Sequence, residues 1–262
     1  MTPRTYLFVP GDRPERFDKA FASGADAVVL DLEDAVTPEH KEAARETVRQ
    51  RLATGDTRLV VRINDESTAW FEADVASLAK AATVMLPKAE RTATVKRLND
   101  AGFTVLALIE SARGVLNAEA IAEVSHRLVF GTVDFALDVD VSGDLASTLG
   151  LDYAASRLVL ASRAAGLPSP VAGVTVAIDD EALLLAELAR ARAHGFGAKL
   201  CIHPKQVAPI HRALAPSAAE LDWARRVIAV AAGAHGAVQV DGRMVDKPIL
   251  LRAERLLARE QK

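Results

Sequence analysis

Short apolar runs recur along the chain at Tyr6–Val9, Ala27–Leu30, Leu59–Ile63, Thr83–Leu86, Thr104–Ile109, Leu128–Phe130, Val171–Val174 and Lys199–Ile202. Each is too brief for a helix, and most lack the alternation of a half-exposed strand, so they predict strands buried on both faces and hence a parallel sheet. Helical patterns lie between them. Arg13–Ser23 puts Phe17, Ala20 and Phe21 on one face before Gly24, and Thr37 reads as an N-cap followed by Pro38 at the first position of a helix reaching about Leu52. Trp70–Ala82 carries Phe71, Val75 and Leu78, and the Ala/Leu-rich stretch Asp179–His194 closes on Gly195. This alternation predicts an α/β fold, a (β/α)8 TIM barrel over residues 1–215, with a doubly wound open sheet as the rival topology. Past Pro216 the alternation stops. Residues 216–262 read as a C-terminal helical appendage: a helix over Ser217–Ala232, a connection containing Gly233 and Gly236, a hairpin turning at Asp241-Gly242, and a basic terminal helix.

Composition narrows the function classes. Half of the 262 residues are apolar, enough to bury a sizeable core, and 32 Lys+Arg against 35 Asp+Glu give a net charge of −3. That balance offers no basic footprint for nucleic acid. No apolar run approaches the roughly 20 residues that span a bilayer, and the N-terminus lacks a secretory pattern, so a soluble, cytoplasmic protein without a membrane partner is expected. Cys201 stands alone inside an apolar run and reads as core packing. Neither a GxxxxGK[ST] nor a GxGxxG fingerprint occurs, which disfavours nucleotide hydrolysis and a Rossmann cofactor.

The polar residues fall where barrel chemistry belongs, at the carboxyl ends of the strands. Successive runs deliver Asp12-Arg13, Asp31-Leu32-Glu33-Asp34, Arg62, Lys88, Glu110, Asp134 and His203 to the same predicted mouth. Glu110 and Asp134 each follow an apolar strand on neighbouring staves. Two adjacent carboxylates repel, and with no His pair or Cys cluster a hard cation, Mg2+ or Mn2+, is the expected remedy rather than zinc. The competing reading has each carboxylate paired with an Arg or capping a helix. Arg62 needs an anion, supplied either by substrate or by Glu33 or Asp34. Lys88 reads as a salt-bridge lysine or a Schiff-base lysine, and His203 as a hydrogen-bonded strand-end histidine or an acid/base group.

Together, Leu7-Phe-Val-Pro-Gly-Asp-Arg-Pro-Glu-Arg-Phe17, Gly24-Ala-Asp-Ala-Val-Val-Leu-Asp-Leu-Glu-Asp-Ala-Val36, Val61-Arg-Ile-Asn64, Leu86-Pro-Lys88, Leu108-Ile-Glu-Ser111, Phe130-Gly-Thr-Val-Asp-Phe135, Ile202-His-Pro-Lys-Gln-Val207 and Asp241-Gly-Arg-Met-Val-Asp246 resemble the citrate lyase β-subunit-like proteins of the HpcH/HpaI aldolase and citrate lyase family. The resemblance implies a Mg2+-dependent (β/α)8 enzyme that makes or breaks a carbon–carbon bond between a 2-oxo acid and the acetyl group of an acyl-CoA or acyl-carrier thioester. It implies Glu110 and Asp134 as metal ligands, with Asp138 as the alternative second ligand, and Arg62 as the grip on the oxo acid, with Lys88 and Arg13 beside it in substrate binding. It further implies a homotrimer whose C-terminal segment lies across a neighbouring subunit's mouth, making Asp246 in trans, or Asp34, the candidate acid/base.

Three functions fit these residues. The first is a lyase acting on a citramalyl-, malyl- or citryl-type 3-hydroxy-acyl-CoA, yielding a 2-oxo acid and acetyl-CoA. The second is a class II aldolase using free 2-oxo acids. The third is a non-autonomous oxo-acid-binding subunit that works only with a carrier-protein partner.

Overall fold

A computed structural model describes residues 2–79, 82–141, 149–232 and 238–260. The eight predicted runs become strands β1 (Thr5–Pro10), β2 (Ala27–Asp31), β3 (Leu59–Arg62), β4 (Thr83–Leu86), β5 (Thr104–Ile109), β6 (Arg127–Phe130), β7 (Val171–Ala172) and β8 (Ala198–Cys201). All are parallel, and β8 pairs with β1 through Thr5 opposite Lys199, so the sheet closes into a barrel and the open-sheet alternative is excluded. Helices surround it, completing a (β/α)8 fold.

Strand parity decides what lies inside. Tyr6, Ala27, Val29, Val60, Met85, Leu106, Leu108, Val129, Val171, Ala198 and Leu200 form one buried cluster in the lumen. Residues of opposite parity, such as Val28, Leu30, Val61 and Ala107, are equally buried because helices cover them. With both faces dry, the runs show no polar alternation.

The helix starts and stops follow local chemistry, and three differ from the sequence reading: the first expected helix, Arg13–Ser23, is a 3-10 turn over Pro14–Arg16 followed by a helix over Phe17–Ala22. Pro38 does open a helical segment, but as a 3-10 turn (Pro38–His40) leading into the helix Lys41–Leu52, and the Thr37 side chain makes no capping bond. The helix expected over 70–82 runs only over Phe71–Ser77, because Leu78 turns extended (φ −88°, ψ 142°) and buries its side chain. The helix Glu181–His194 ends on Gly195 at φ 116°, a left-handed stop that an L side chain resists.

The chain divides into two compact units, Thr2–His211 and Arg212–Lys262, at 211/212 where the sequence pattern gave 215/216. In the second, helix Ala218–Ala232, a hairpin of β9 (Val238–Val240) and β10 (Arg243–Val245), and helix Lys247–Glu260 enclose Ala224, Val227, Val240, Val245, Ala253 and Leu256. Asp241 (φ 51°) and Gly242 (φ 73°) are both left-handed, as a two-residue hairpin turn requires. The expected Gly233/Gly236 connection lies outside the described residues. Among the described residues, no helix is long and apolar enough to cross a membrane.

Candidate active site at the barrel mouth

The parity that sends Val29, Val60 and Leu108 into the lumen also sends Asp31, Arg62 and Glu110, two residues further on, to its carboxyl-end mouth. Asp31 and Arg62 are register partners on adjacent strands. The Arg62 guanidinium donates from Nε and one terminal nitrogen to the two Asp31 oxygens, at 2.7 and 2.6 Å, and its other terminal nitrogen lies 2.9 Å from Glu33 Oε2. The Phe8 ring lies 4.8 Å from the guanidinium carbon. Burial works against the charge on Arg62, yet Asp31, Glu33 and Glu110 together hold its pKa above the ordinary arginine value. Sequence reasoning offered Glu33 or Asp34 as the protein-side anion. The structure supplies Glu33 and, more strongly, Asp31, while Asp34 is exposed on the same loop.

Glu33 also takes an ion pair from Lys88 Nζ at 2.7 Å, which gives the salt-bridge reading of that lysine its partner. Burial lowers the Lys88 pKa, but contact with Glu33 outweighs it and keeps the amine firmly protonated, the opposite of what Schiff-base chemistry needs. Lys88 stands at φ 45°, a left-handed backbone rare outside glycine, and the turn brings its backbone N–H to Glu110 Oε1 at 2.8 Å.

Glu110 is the most perturbed carboxyl of the mouth. Burial first, then repulsion from Glu33 and Asp134, push it up to about 8, against the Lys88 N–H and Arg62, which favour the charged form. Burial raises Glu33 as well, opposed by Arg62 and Lys88, and its buried Oε2 accepts no well-aligned hydrogen bond despite the nearby guanidinium. Acids therefore outnumber cations here: Asp31, Glu33, Asp34, Glu110 and Asp134 stand against Arg62, Lys88 and the buried Lys41. Asp134 sits in the first turn of helix Thr132–Asp138, whose Phe135 packs on Phe130 at 5.5 Å.

Gly131, which follows β6, is what makes room for Glu110. A Cβ there would lie 2.5 Å from Glu110 Oε2 and 2.6 Å from its Cβ. Gly131→Ala should therefore cost about 1–3 kcal/mol by displacing Glu110, read as a lowered urea midpoint.

Behind the mouth lies a polar clamp that sequence reasoning missed. Lys41 is buried and donates to Leu32 O, Glu33 O and Asn64 Oδ1, each at 2.7 Å, using all three donors of an ammonium. Asn64 in turn donates to Asp74 Oδ2, while Arg45 donates to Asp74 Oδ1. The clamp fixes the β2 loop against the end of β3. Its signal was a Lys on the inner face of an amphipathic helix, which periodicity alone reads as an exception. Lys41→Met should destabilise by roughly 3 kcal/mol through the acceptors it abandons, measurable by chemical denaturation.

The remaining candidates have other local partners. Asp138 accepts from the Ala112 backbone N–H at 2.7 Å, at the start of helix Ala112–Leu116. Arg13 is exposed, with Asp12 at 3.8 Å. His203 caps the turn Pro204–Gln206, accepting from Lys205 N–H, so the hydrogen-bonded reading holds for it. Cys201 is fully buried, and burial pushes its thiol up to about 12. Asp246 lies in the second unit, where its side chain accepts from Ile249 N–H as the helix Lys247–Glu260 begins.

The model of the HpcH/HpaI aldolase/citrate lyase family matches residues 4–204, essentially the barrel. A citrate lyase subunit beta-like protein of Mycobacterium tuberculosis is 40% identical over 262 aligned residues, covering 97% of this chain and 94% of its own. The chain belongs to the HpcH/HpaI aldolase/citrate lyase family. As a member it is a carbon–carbon lyase. Among its family relatives, a (3S)-malyl-CoA thioesterase of Cereibacter sphaeroides is 35% identical, covering 98% of this chain and 94% of its own. The crystal structure of protein CitE from M. tuberculosis in complex with magnesium, acetoacetate and coenzyme A superposes with a TM-score of 0.86 at 39% identity, over 99% of this chain and 98% of that one.

Proposed function

We propose that this member of the family is a Mg2+-dependent lyase that cleaves, or in reverse forms, a 3-hydroxy-acyl-CoA of the citramalyl, malyl or citryl type, with a 2-oxo acid and acetyl-CoA as the other side of the reaction. The observation that carries the reading is the electrostatics of Glu110. This buried carboxyl is driven towards its neutral form by burial and by the acids around it, at a mouth whose near-full-length relative is solved with magnesium, acetoacetate and coenzyme A. Such a donor set, oxygen only and short of positive charge, suits a hard divalent cation. A site of two carboxylates would leave positions for substrate and water.

Glu110 and Asp134 would hold the ion, which supplies Lewis-acid polarisation of a bound oxo-acid oxygen. The chain's own residues supply the rest. Arg62 has five N–H donors, of which Asp31 and Glu33 take only part, and those left over can donate to a substrate carboxylate or to the oxygen that gains charge. Asp31 holds that guanidinium in place. Cleavage removes the proton of the 3-hydroxyl as the carbon–carbon bond breaks, and its electron pair passes to the thioester enolate, which takes up a proton to become acetyl-CoA. Asp34, exposed on the β2 loop, or Asp246 would perform one of these transfers. In this reading the protein works as a homotrimer with Asp246 acting in a neighbour's mouth. Co-expressed Glu110→Ala and Asp246→Ala chains should then regain activity that neither has alone, and failure of mixed assemblies to regain any would remove Asp246 from the mechanism.

The deciding experiment incubates the purified protein with malyl-, citramalyl- and citryl-CoA, with Mg2+ or EDTA, following 2-oxo acid, acetyl-CoA and free CoA. Oxo acid and acetyl-CoA in equal amounts, only with Mg2+, is the expected result. Free CoA without oxo acid would indicate thioester hydrolysis, the activity named for the C. sphaeroides relative. Turnover of free oxo acids with aldehydes but not thioesters would indicate a class II aldolase, and turnover only with an added carrier protein a dependent subunit.

A further inference from the structure

A cavity of about 180 Å³ lies on the outer side of the barrel wall, where helices Leu149–Ala164 and Glu181–His194 cover β6 to β8, and it reaches Thr132, Gly173 and Val174 just past the carboxyl ends of β6 and β7. Its walls are mostly apolar, with Phe130, Leu151, Ala155, Ala172 and Phe196 among them. A charge is buried at its inner end. Ala198 and Leu200 face the lumen, so Lys199 between them points outward into this helix layer, where it is 2% exposed. Its ammonium has three donors to satisfy. One goes to Gly173 O at 2.9 Å, and the nearest carboxylate oxygen, Glu187 Oε2, stands 3.5 Å away and already accepts from the Thr175 hydroxyl. At the outer rim, half-buried Asp152 is engaged by Arg190 at 2.6 Å and His194 at 2.9 Å, leaving it no role toward Lys199.

An ammonium buried with one short acceptor and one long ion pair, to Glu187, is costly to keep charged, and burial lowers its pKa although Glu187 opposes the shift. A ligand carboxylate would meet that need, while the walls would take a hydrocarbon body. The volume is comparable with the about 150 Å³ that admits benzene, which limits the body to roughly five or six carbons.

We infer that this cavity is a second binding site, distinct from the barrel mouth, for a small monocarboxylate with an apolar body, its carboxylate seated on Lys199. The probe is hexanoate, with 1-hexanol as its neutral counterpart, titrated calorimetrically into the full-length protein with the mouth saturated by Mg2+ and oxaloacetate. Hexanoate should bind once per chain, at least tenfold more tightly than hexanol. Lys199→Met should erase that preference, and Ala155→Leu, which fills the cavity from the helix side and leaves Lys199 in place, should weaken both ligands at least tenfold. Thermal melts establish that each variant folds, and Ala155→Leu carries the test if Lys199→Met does not. Absence of hexanoate binding, indifference to Ala155→Leu, or displacement of hexanoate by oxaloacetate would overturn the inference. None of these outcomes bears on the lyase reading of the mouth.

Discussion

Glu110→Gln is expected to abolish turnover while raising the melting temperature of the metal-free protein. The two effects share one cause. Burial, then Glu33 and Asp134, push the Glu110 carboxyl up to about 8 from 4.5. Below 4.5 both folded and unfolded chains hold the proton, and the group contributes no pH dependence. Between 4.5 and about 8 the unfolded chain has released the proton that the folded chain retains, so stability falls as pH rises, by up to ~1.4 kcal/mol per pH unit. Above about 8 both states are ionised and the slope ends. The neutral, nearly isosteric amide escapes this loss. The gain at pH 8 should be on the order of 1–3 kcal/mol, or several degrees in Tm for a chain of this size. Added Mg2+ should reverse the ranking, because a cation binds the ionised wild-type carboxylate and stabilises the fold in proportion. Activity should fall by about 10³-fold or more. Thermal scans of both proteins from pH 4 to 9, with Mg2+ and with EDTA, measure all of this, and a wild type no less stable than the variant at pH 8 in EDTA would refute it.

Arg62→Met should be the most destabilising change at the mouth. Asp31 is 1% exposed and takes two of its hydrogen bonds from this one guanidinium, so truncation strands a buried carboxylate and pulls a partner from Glu33. A loss of about 3–5 kcal/mol is expected, because removing one partner of a buried pair costs far more than removing both. The double variant Asp31→Asn/Arg62→Met should recover most of that stability in urea titrations. It should recover none of the activity, which the single change lowers by about 10²- to 10³-fold if Arg62 meets the developing charge. Recovery of turnover in the double variant would reduce Arg62 to a scaffold residue.

How much of this was legible in sequence is clearest strand by strand. Runs such as Ala27–Leu30 and Thr104–Ile109 announced doubly buried strands because backbone pairing and two dry faces impose a local composition. Glu110 and Arg62 were legible for a related reason, since a charge closing an apolar strand has nowhere to go but the mouth. Asp31 was the near miss. It shares the parity of Val29, which makes it Arg62's partner ahead of Asp34, which lies in the turn beyond the strand and is exposed. The Lys41–Asn64–Asp74–Arg45 clamp left a single trace, a Lys on the inner face of an amphipathic helix, and its partners sit in segments whose pattern is satisfied without them.

The chain's own order of residues thus settled the α/β class, the strands and most of the groups at the mouth, for these follow from short-range rules of periodicity, parity and turn chemistry, while closure of the sheet came with the pairing of β8 and β1. What tertiary structure alone decided is which charges meet: Arg62 with Asp31, Lys88 with Glu33, Asp138 with the Ala112 amide, and Glu110 against the space left by Gly131. Those pairings join residues tens of positions apart. Their energies depend on burial and distance, and both come into being only when the barrel closes.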